Sequence, residues 1–295
     1  MKTAIQLLFT AFTFLTVVSC QKELFFPVGE VRVVPALPGR GTLLSKCYGI
    51  NYNGAVADTF NGLDIVYDSL WRVHQINTYI YNQVWGPLFS VATFYYNGND
   101  SNASKSIELF NNFTPGHDRR TAFFYYDSKH RLVKDSVEDD ANTITVSQYE
   151  YRQSMITSHR IYQFADSTFA NHVQLDTGYI NNTGNITRIT TTWVSMVASD
   201  SYDIDYSYDD KHNPFFNLNI HTTFDPLSTK EEDFPLFLSA KRMQKNNLLH
   251  RTLLFSDPLT DELSYSYFPN DYPQTQNLLM FRNGVVNMVI AFIYL

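Results

Sequence analysis

A short phrase that begins with tyrosine recurs along this chain at spacings of 25 to 30 residues, with one double interval. A period of this length is typical of repeat architectures, in which one supersecondary unit recurs and neighbouring units bury each other's apolar faces. The double interval between Tyr208 and Tyr267 indicates that one copy near Phe237 has been lost or remodelled. The copies begin at Tyr67, Tyr96, Tyr126, Tyr151, Tyr179, Tyr208 and Tyr267.

The clearest copy predicts a β-hairpin. Residues 123–126 are aromatic, and aromatic residues favour strands because they pack well on a pleated surface. Asp127 favours a turn, since its carboxylate can accept a hydrogen bond from the backbone two residues further on. Residues 131–133 then resume an extended, partly apolar run. Strands are therefore predicted over residues 119–126 and 131–137.

The phrase resembles the tyrosine-aspartate (YD, or RHS-like) repeat, whose core reads Y-D-x-x-G-R. Here the Gly position holds Trp71, His130 and His212, and the Arg position of the third copy holds Asn213. Because Gly is the residue that readily adopts a positive φ, the geometry of these turns stays open. The resemblance implies a structural role in the repeat turns for Tyr67, Asp68, Arg72, Tyr126, Asp127, Arg131, Tyr208 and Asp209.

Degenerate repeats of this kind are typical of a large group of lipoproteins of unknown function in Bacteroidota. The phrase at residues 265–273 and the phrase at residues 281–284 also look like that group. The resemblance covers roughly residues 60–295. It implies a fold and an envelope location, and it implies no particular activity.

Residues 1–19 are predicted to be a lipoprotein signal peptide. Lys2 supplies the positive charge at the start, and residues 4–18 form an apolar run too short for a comfortable transmembrane helix. The run ends in Val-Val-Ser-Cys, which resembles a bacterial lipobox. That resemblance implies that Cys20 becomes the mature N-terminus and carries a diacylglyceryl thioether and an N-acyl chain such as palmitate. The alternative is an ordinary secretory signal that contains a cysteine.

Residues 20–46 contain several Pro and Gly and are predicted to be a lipidated N-terminus and short tether, which leads into one β-repeat domain over residues 47–295. The charged phrase at residues 21–23 resembles signals that direct some Bacteroidota lipoproteins to the outer face of the outer membrane. A surface-exposed position is therefore expected ahead of a periplasm-facing one. The membrane is a partner through the lipid.

Composition limits the remaining classes of function. With 44% hydrophobic and 17% charged residues the chain is predicted to be globular, and its net charge of −7 argues against a nucleic-acid partner. Cys47 is the only thiol after Cys20, so it is expected to be a buried apolar residue outside any disulfide. None of the eight histidines lies in a zinc motif, and no cofactor is predicted. For Asp203 and Asp205, calcium ligation is the alternative to a solvated strand face.

Residues 202–209 alternate strictly between Tyr or Ile and Asp or Ser, which predicts a strand with one packed face and one solvated face. Seven units of two strands predict about fourteen strands, and a sheet of that size tends to curl or close. We therefore predict an all-β fold: an antiparallel meander of repeated hairpins that forms a strongly curved or barrel-like sheet, with one short helical insertion near residues 236–249. A transmembrane barrel is the structural alternative. The lipobox argues against it, because a lipid already supplies the anchor.

The function predicted first is that of a non-enzymatic scaffold or binding module, with an envelope protein, a glycan or a lipid as its partner. The first alternative is a carrier of a lipid or other apolar ligand in the concave face of the sheet. A glycan hydrolase would need two convergent carboxylates, and the repeated turn positions of Asp127 and Asp209 favour a structural role for these two. Trp71, Trp85 and Trp193 are expected in the core, with stacking on sugars as the alternative.

Overall fold

The computed structural model describes residues 43–53, 56–79, 88–110, 119–140, 143–163, 172–194, 199–218, 244–254, 259–280 and 286–295. Within them, sixteen antiparallel strands form a closed barrel in which consecutive strands pair with each other and the first pairs with the last. The predicted signal peptide, Cys20 and most of the predicted tether lie outside the described residues.

The strands are β1 (Leu44–Asn53), β2 (Val56–Tyr67), β3 (Val73–Tyr79), β4 (Leu88–Tyr96), β5 (Ala103–Phe110), β6 (Arg119–Tyr126), β7 (Leu132–Asp139), β8 (Ile144–Arg152), β9 (Met155–Gln163), β10 (His172–Ile180), β11 (Ile186–Val194), β12 (Ser199–Tyr208), β13 (Leu248–Leu254), β14 (Leu259–Tyr267), β15 (Pro273–Met280) and β16 (Val286–Tyr294). One 3₁₀ turn, Phe216–Leu218, lies between β12 and β13. Closure between β1 and β16 places Cys47 opposite Phe292. β1 thus begins at Leu44, inside the range assigned to the tether.

The predicted antiparallel, barrel-like meander of hairpins is confirmed, and the sheet closes. The described residues contain sixteen strands where about fourteen were predicted. The difference is an eighth hairpin that ends at Tyr294, which follows Tyr267 at the spacing of one repeat. The tyrosine spacing alone was enough to find this last unit.

The connections that follow the even-numbered strands all lie at one end of the barrel, called the turn end below. The first and last described residues also lie there, since the backbone N–H of Leu295 donates to the carbonyl of Leu43 at 3.0 Å. The turn end therefore carries both ends of the described chain. Its described connecting residues are 68–72, 97–102, 127–131, 153–154, 181–185, 209–218 with 244–247, and 268–272.

A β-bulge interrupts the start of most odd-numbered strands. In β3, Tyr67 pairs with Val73 and Val66 pairs with Gln75, which leaves His74 as the extra residue. The bulge aims Val73 and Ile76, three residues apart, at the same interior, where strict alternation would place them on opposite faces. The same irregularity begins β1, β5, β7, β11, β13 and β15.

The inward side chains near the turn end form an apolar core. In β12, Ile204 and Tyr206 are buried whereas Asp203 and Asp205 lie on the opposite, outer face, as the alternation predicted. Burial of such apolar side chains is the main favourable term in closing the barrel. The most buried members include Leu44, Leu63, Ile76, Phe94, Leu132, Ile189, Ile204 and Ile290.

The first described residues after β12 enter the interior at the turn end. Phe215 and Leu218 are buried there, and the ring of Phe215 meets that of Phe292 edge-on, with 6.2 Å between centroids. Of the helix predicted near residues 236–249, residues 236–243 lie outside the described residues. Residues 244–247 are irregular and Leu248 already begins β13, so the helix does not extend over them. No helix in the described ranges is long and apolar enough to cross a membrane.

Candidate functional site

The tyrosine-aspartate turns are built around the aspartate carboxylate. Oδ1 of Asp68 accepts hydrogen bonds from the backbone N–H groups of Leu70 and Arg72, each at 2.9 Å. Oδ2 of Asp68 accepts a third from Nε of Arg72 at 2.7 Å. The carboxylate therefore holds the turn closed while the guanidinium neutralises its charge.

The same contacts recur in the next full copy. Oδ1 of Asp127 accepts from the backbone N–H groups of Lys129 and Arg131 at 2.9 and 3.0 Å, and the Arg131 side chain binds Oδ2. Hydrogen bonds from the Arg131 side chain and then its backbone lower the pKa of Asp127 to about 2. A carboxyl group that is ionised throughout the neutral range has no proton to donate, so this aspartate is unsuited to general acid catalysis.

The turn position at which Gly was missing adopts a left-handed backbone conformation. Trp71 and His130, which occupy the Gly position, have φ angles of 61° and 59°, and Asp271 in the last turn has 64°. In the turn after β10, Gly184 holds the equivalent position with a φ of 89°. The backbone of the repeat turn is thus kept even where a side chain makes it strained.

The third copy is opened by an insertion. The backbone N–H of Asp209 donates to the carbonyl of Asn247, and Oδ1 of Asp209 accepts the Asn247 backbone N–H at 2.9 Å. Asn247 therefore takes the place that Arg72 holds in the first copy, and Asn213 does not take it. The Tyr267 hydroxyl donates to the same Asp209 carboxylate. Residues 209–218 and 244–247 thus belong to one enlarged turn, and Phe237, near which a lost or remodelled copy was predicted, lies outside the described residues.

Seven tyrosines at or near the ends of even-numbered strands link the two strands of one hairpin inside the barrel. The Tyr126 hydroxyl donates to the carbonyl of Ala103, the first residue of β5, at 2.8 Å. Each such acceptor is the first residue of an odd-numbered strand, where the bulge or strand start takes the carbonyl out of the regular ladder. The other pairs are Tyr67 with Leu44, Tyr96 with Val73, Tyr151 with Leu132, Tyr208 with Ile186, Tyr265 with Leu248 and Tyr294 with Pro273.

β10 is the exception to this pattern. Tyr179 faces outward and is exposed, so Ile180 and Asn181 occupy the positions of the Tyr-Asp pair. Oδ1 of Asn181 accepts from the backbone N–H groups of Thr183 and Asn185, each at 3.0 Å, as the aspartate does elsewhere. The tyrosine spacing placed this copy one residue out of phase.

A polar cluster lines the interior of β7 to β11, above the apolar core. The carboxylate of Asp176 accepts hydrogen bonds from Ser158, Gln174 and Thr191 at 2.8 to 2.9 Å. The Tyr149 hydroxyl donates to Asp135 at 2.6 Å. These groups are nearly all buried, and hydroxyl and amide donors surround each carboxylate, as a structural network requires.

Arg160 continues the cluster toward the end of the barrel opposite the turn end. Its Nε donates to Ser147 and its NH1 to Tyr162, each at 3.2 Å. The Tyr162 ring stacks on Trp193 with 5.7 Å between centroids. Trp193 is therefore an interior residue, whereas Trp71 is exposed on its turn and Trp85 lies outside the described residues.

The outer wall carries charged and polar side chains in the middle of several strands. Asp205 pairs with Arg188 at 2.5 Å, and Asp203 accepts from the Thr190 hydroxyl at 2.7 Å. These contacts explain both aspartates without a cation, and the described residues contain no cluster of three or more metal-ligating side chains. Other outward polar residues at mid-strand are Ser136, Gln148, His159, Glu262, Ser264 and Asn277.

Cys47, the thiol within the described residues, is 1% exposed and lies between apolar neighbours. This agrees with the prediction that Cys47 is a buried apolar residue. Cys20 lies outside the described residues. The remaining predicted turn residues lie at the turn end, and the structure distributes them over three separate connections, after β2, β6 and β12, and does not bring them into one cleft. The carboxylates of Asp127 and Asp209 are thus each engaged within their own turn.

Two solved structures resemble this barrel. A porin-like protein from Bacteroides uniformis aligns with a TM-score of 0.51 and 9% sequence identity, over 86% of this chain and 99% of that chain. A porin-like protein from Bacteroides vulgatus aligns with a TM-score of 0.48 and 12% identity over the same shares of the two chains. No protein-family model and no curated protein sequence matches the chain. The likeness at these identities is one of fold.

Proposed function

We propose that this chain is a lipid-anchored protein of the outer membrane, in which a closed, filled barrel serves as a non-enzymatic scaffold or binding module. The lipid is carried by Cys20, and the barrel is exposed on the cell surface. Its partners are other components of the envelope, which it contacts through the outer wall and the turn end.

The outer wall is the observation that carries this proposal. A strand that crosses a bilayer presents an apolar band about 25 Å tall, and a charged side chain on its lipid face is destabilising, although Asp and Glu cost less than Lys and Arg. Here Asp203, Asp205 and Glu262 lie at or near the middle of β12 and β14 on the outer face. A wall of this composition is suited to water, so that an N-terminal lipid is needed to hold the barrel at a membrane.

The described interior favours a role that involves neither catalysis nor the transport of an apolar ligand. The apolar side chains that were expected to line a ligand cavity pack against one another near the turn end, together with Phe215 and Leu218. Above them, Asp176, Gln174 and Thr191 are 1% exposed or less and satisfy one another. The described inward side chains at both levels are therefore buried against one another.

A membrane-spanning pore is the second candidate. The closure of the barrel, its even number of strands and the description of its structural neighbours as porin-like favour it. The two candidates differ in what holds the barrel at the membrane. A lipid holds the anchored barrel, and the strands themselves hold the pore.

Replacing residues 1–20 by a secretory signal that an ordinary signal peptidase removes separates these candidates. The natural chain is expected to incorporate labelled palmitate and to fractionate with the outer membrane. The replaced chain is expected to lose the label and to appear folded in the soluble fraction. A chain that remains in the membrane fraction without the label would establish the pore and contradict the lipid anchor. Digestion by protease on intact cells then tests surface exposure of the natural protein.

A further inference from the structure

The outer wall near the turn end differs between the two sides of the barrel. On β4 to β7 it presents Tyr95, Phe123 and Tyr125, with Lys105 and Lys134 between them. Register places Lys105 directly between Tyr95 and Phe123, and Tyr125 beside Lys134. Neighbouring strands are about 4.8 Å apart, so these five side chains form one continuous surface, called the basic aromatic face below.

The lysines of this face lie against the rings. Nζ of Lys105 is 5.9 Å from the ring centroid of Tyr95 and 5.3 Å from that of Phe123. Nζ of Lys134 is 5.5 Å from the centroid of Tyr125. Tyr95 and Tyr125 are nonetheless 45% and 50% exposed, so the ring surfaces are available to a partner.

The adjacent turn extends this face with an exposed apolar tip. Leu70 and Trp71 are 44% and 40% exposed in the connection between β2 and β3. Trp71 adopts a φ of 61°, which a bulky side chain reaches only at a conformational cost that Gly would avoid. The repeat turn imposes this conformation, as it does at His130, and at Trp71 it carries a large apolar side chain that is exposed to solvent.

The position of the chain's N-terminal side indicates what this surface meets. The Tyr67 hydroxyl donates to the carbonyl of Leu44 at 2.6 Å, so the start of β1 lies at the turn end beside the strand that leads to Trp71. Cys20 precedes Leu44 by 24 positions, so a lipid on Cys20 would tether the barrel to a bilayer from its turn end. Anchoring of this kind raises the effective concentration of any surface near the membrane.

We propose that the basic aromatic face and the Leu70–Trp71 tip rest on the headgroup region of an anionic phospholipid surface. Trp and Tyr rings favour the boundary between headgroups and acyl chains, and lysines beside them are attracted to anionic lipids. The opposite wall carries Asp203 and Glu262, which such a surface would repel, and an Arg188–Asp205 ion pair, whose charges cancel. The anchored barrel therefore lies in one orientation on its membrane. This inference rests on the proposed lipid anchor.

The test supplies the anchor artificially, so that it does not depend on modification of Cys20. The chain from residue 21 onward, with an N-terminal histidine tag, is captured on vesicles that contain a nickel-chelating lipid and phospholipids brominated near the headgroup. Quenching of Trp71 fluorescence is measured against a Trp71→Phe chain, which gives the background from the other tryptophans. Quenching above that background is expected with phosphatidylglycerol vesicles. It is expected to weaken with phosphatidylcholine alone or with added salt.

Matched variants show whether the face is responsible. Tyr95→Ser with Phe123→Ser and Tyr125→Ser, and separately Lys105→Glu with Lys134→Glu, are expected to bring the quenching down to the background. The control is Leu175→Ser with Tyr179→Ser, which removes two side chains that are each 43% exposed on the outer wall of β10 and is expected to change nothing. Thermal unfolding verifies that each chain is folded.

Three results would overturn the proposal. These are quenching equal to the Trp71→Phe background, equal loss in the control variant, and stronger quenching by bromines at the centre of the bilayer than by those near the headgroup. The last result would indicate insertion of the strands. Failure here with successful palmitate labelling in cells would leave the anchor in place and remove only the orientation.

Discussion

A single aspartate organises three of the repeat turns, and Asn181 takes its place in the turn after β10. The aspartate carboxylate accepts two backbone N–H groups of the turn and, at Asp68 and Asp127, an arginine side chain. The turn leaves one position with positive φ, and the chain fills it with Trp71, His130, Gly184 or Asp271. The aspartate and the backbone thus define the turn. The residue type at the position with positive φ can vary, but any residue other than Gly is conformationally strained there.

That cost predicts the effect of restoring the glycine of the repeat core. His130→Gly is expected to stabilise the protein by about 0.5–1 kcal/mol, because the left-handed strain of about 1–2 kcal/mol is relieved and part of the gain is lost to the greater freedom of Gly when unfolded. The free energy of unfolding in urea measures it. Lys129→Gly, in the same turn and outside the left-handed region, is the control and is expected to destabilise. Equal effects of the two substitutions would remove this account of the turn.

The residue type at these turns could be predicted from the sequence, and the phase of one copy could not. The spacing of tyrosines points to Tyr179 as the start of this copy. The turn itself begins one residue later than that predicts, with Asn181 as the acceptor and Gly184 at the position of positive φ. Asn181 supplies the same acceptor oxygen as an aspartate, so a pattern written in terms of Tyr and Asp does not detect it. The role of Asn247 could not be predicted either, because its hydrogen bond to Asp209 joins residues that are 38 positions apart in the sequence.

Each hairpin joins a bulge to a tyrosine. The bulge at the start of an odd-numbered strand takes a backbone carbonyl out of the regular ladder, and a buried carbonyl needs a donor. A tyrosine at or near the end of the following even-numbered strand supplies it, and in β14 this is Tyr265, two residues before the strand ends. β9 begins without a bulge, and β10 ends at Ile180 in place of a tyrosine. The two features are thus present or absent together, which explains why tyrosine recurs at this position.

The Tyr126→Phe substitution tests this relation. It removes the hydroxyl that donates to Ala103 and leaves the ring in place, so a buried carbonyl loses its donor. The expected loss of stability is about 1–2 kcal/mol. Tyr125→Phe is the matched control, because its neighbouring hydroxyl lies on the exposed outer face, and a change within about 0.5 kcal/mol is expected. A Tyr126→Phe chain as stable as the control would show that the ring, and not the hydroxyl, accounts for the recurrence.

The fold class was predictable at the scale of elements because the hairpins repeat. Strict alternation in β12 identified its faces correctly from residues 202–209. In β3 the bulge places Val73 and Ile76 on one face, a pattern that a sequence reader assigns to a helix or to a loop. The inward-facing residues of the odd-numbered strands could therefore be identified only from the structure.

Closure is a property of the whole molecule that no single hairpin encodes. The repeat indicated a curved or barrel-like sheet, and pairing of β1 with β16 removes both open edges. The polar cluster around Asp176 collects side chains from three strands, β9 to β11, and follows only once their register is known. The basic aromatic face likewise depends on the register of four strands.

Alkaline unfolding reports on the whole barrel at once. Burial raises the pKa of the interior tyrosines in the folded protein above the ordinary value of 10.0. The stability that this contributes is fully present below pH 10.0, where both states keep the proton. It is lost as the pH rises toward the folded pKa, because only the unfolded chain then ionises, by about 1.4 kcal/mol per pH unit for each such tyrosine. The tyrosines concerned are Tyr67, Tyr126, Tyr206, Tyr208, Tyr265 and Tyr294.

Because these tyrosines are distributed around the closed wall, their ionisation is expected to be cooperative. Tyrosinate absorbance and the far-ultraviolet circular dichroism of the strands should change together in one steep transition above pH 10, with a midpoint that urea moves to lower pH. Tyr126→Phe provides the internal comparison, since a chain with one fewer such group should show a shallower loss of stability. Gradual tyrosinate formation while the dichroism stays constant would mean that the buried hydroxyls reach water without unfolding, and that the interior is open and not filled.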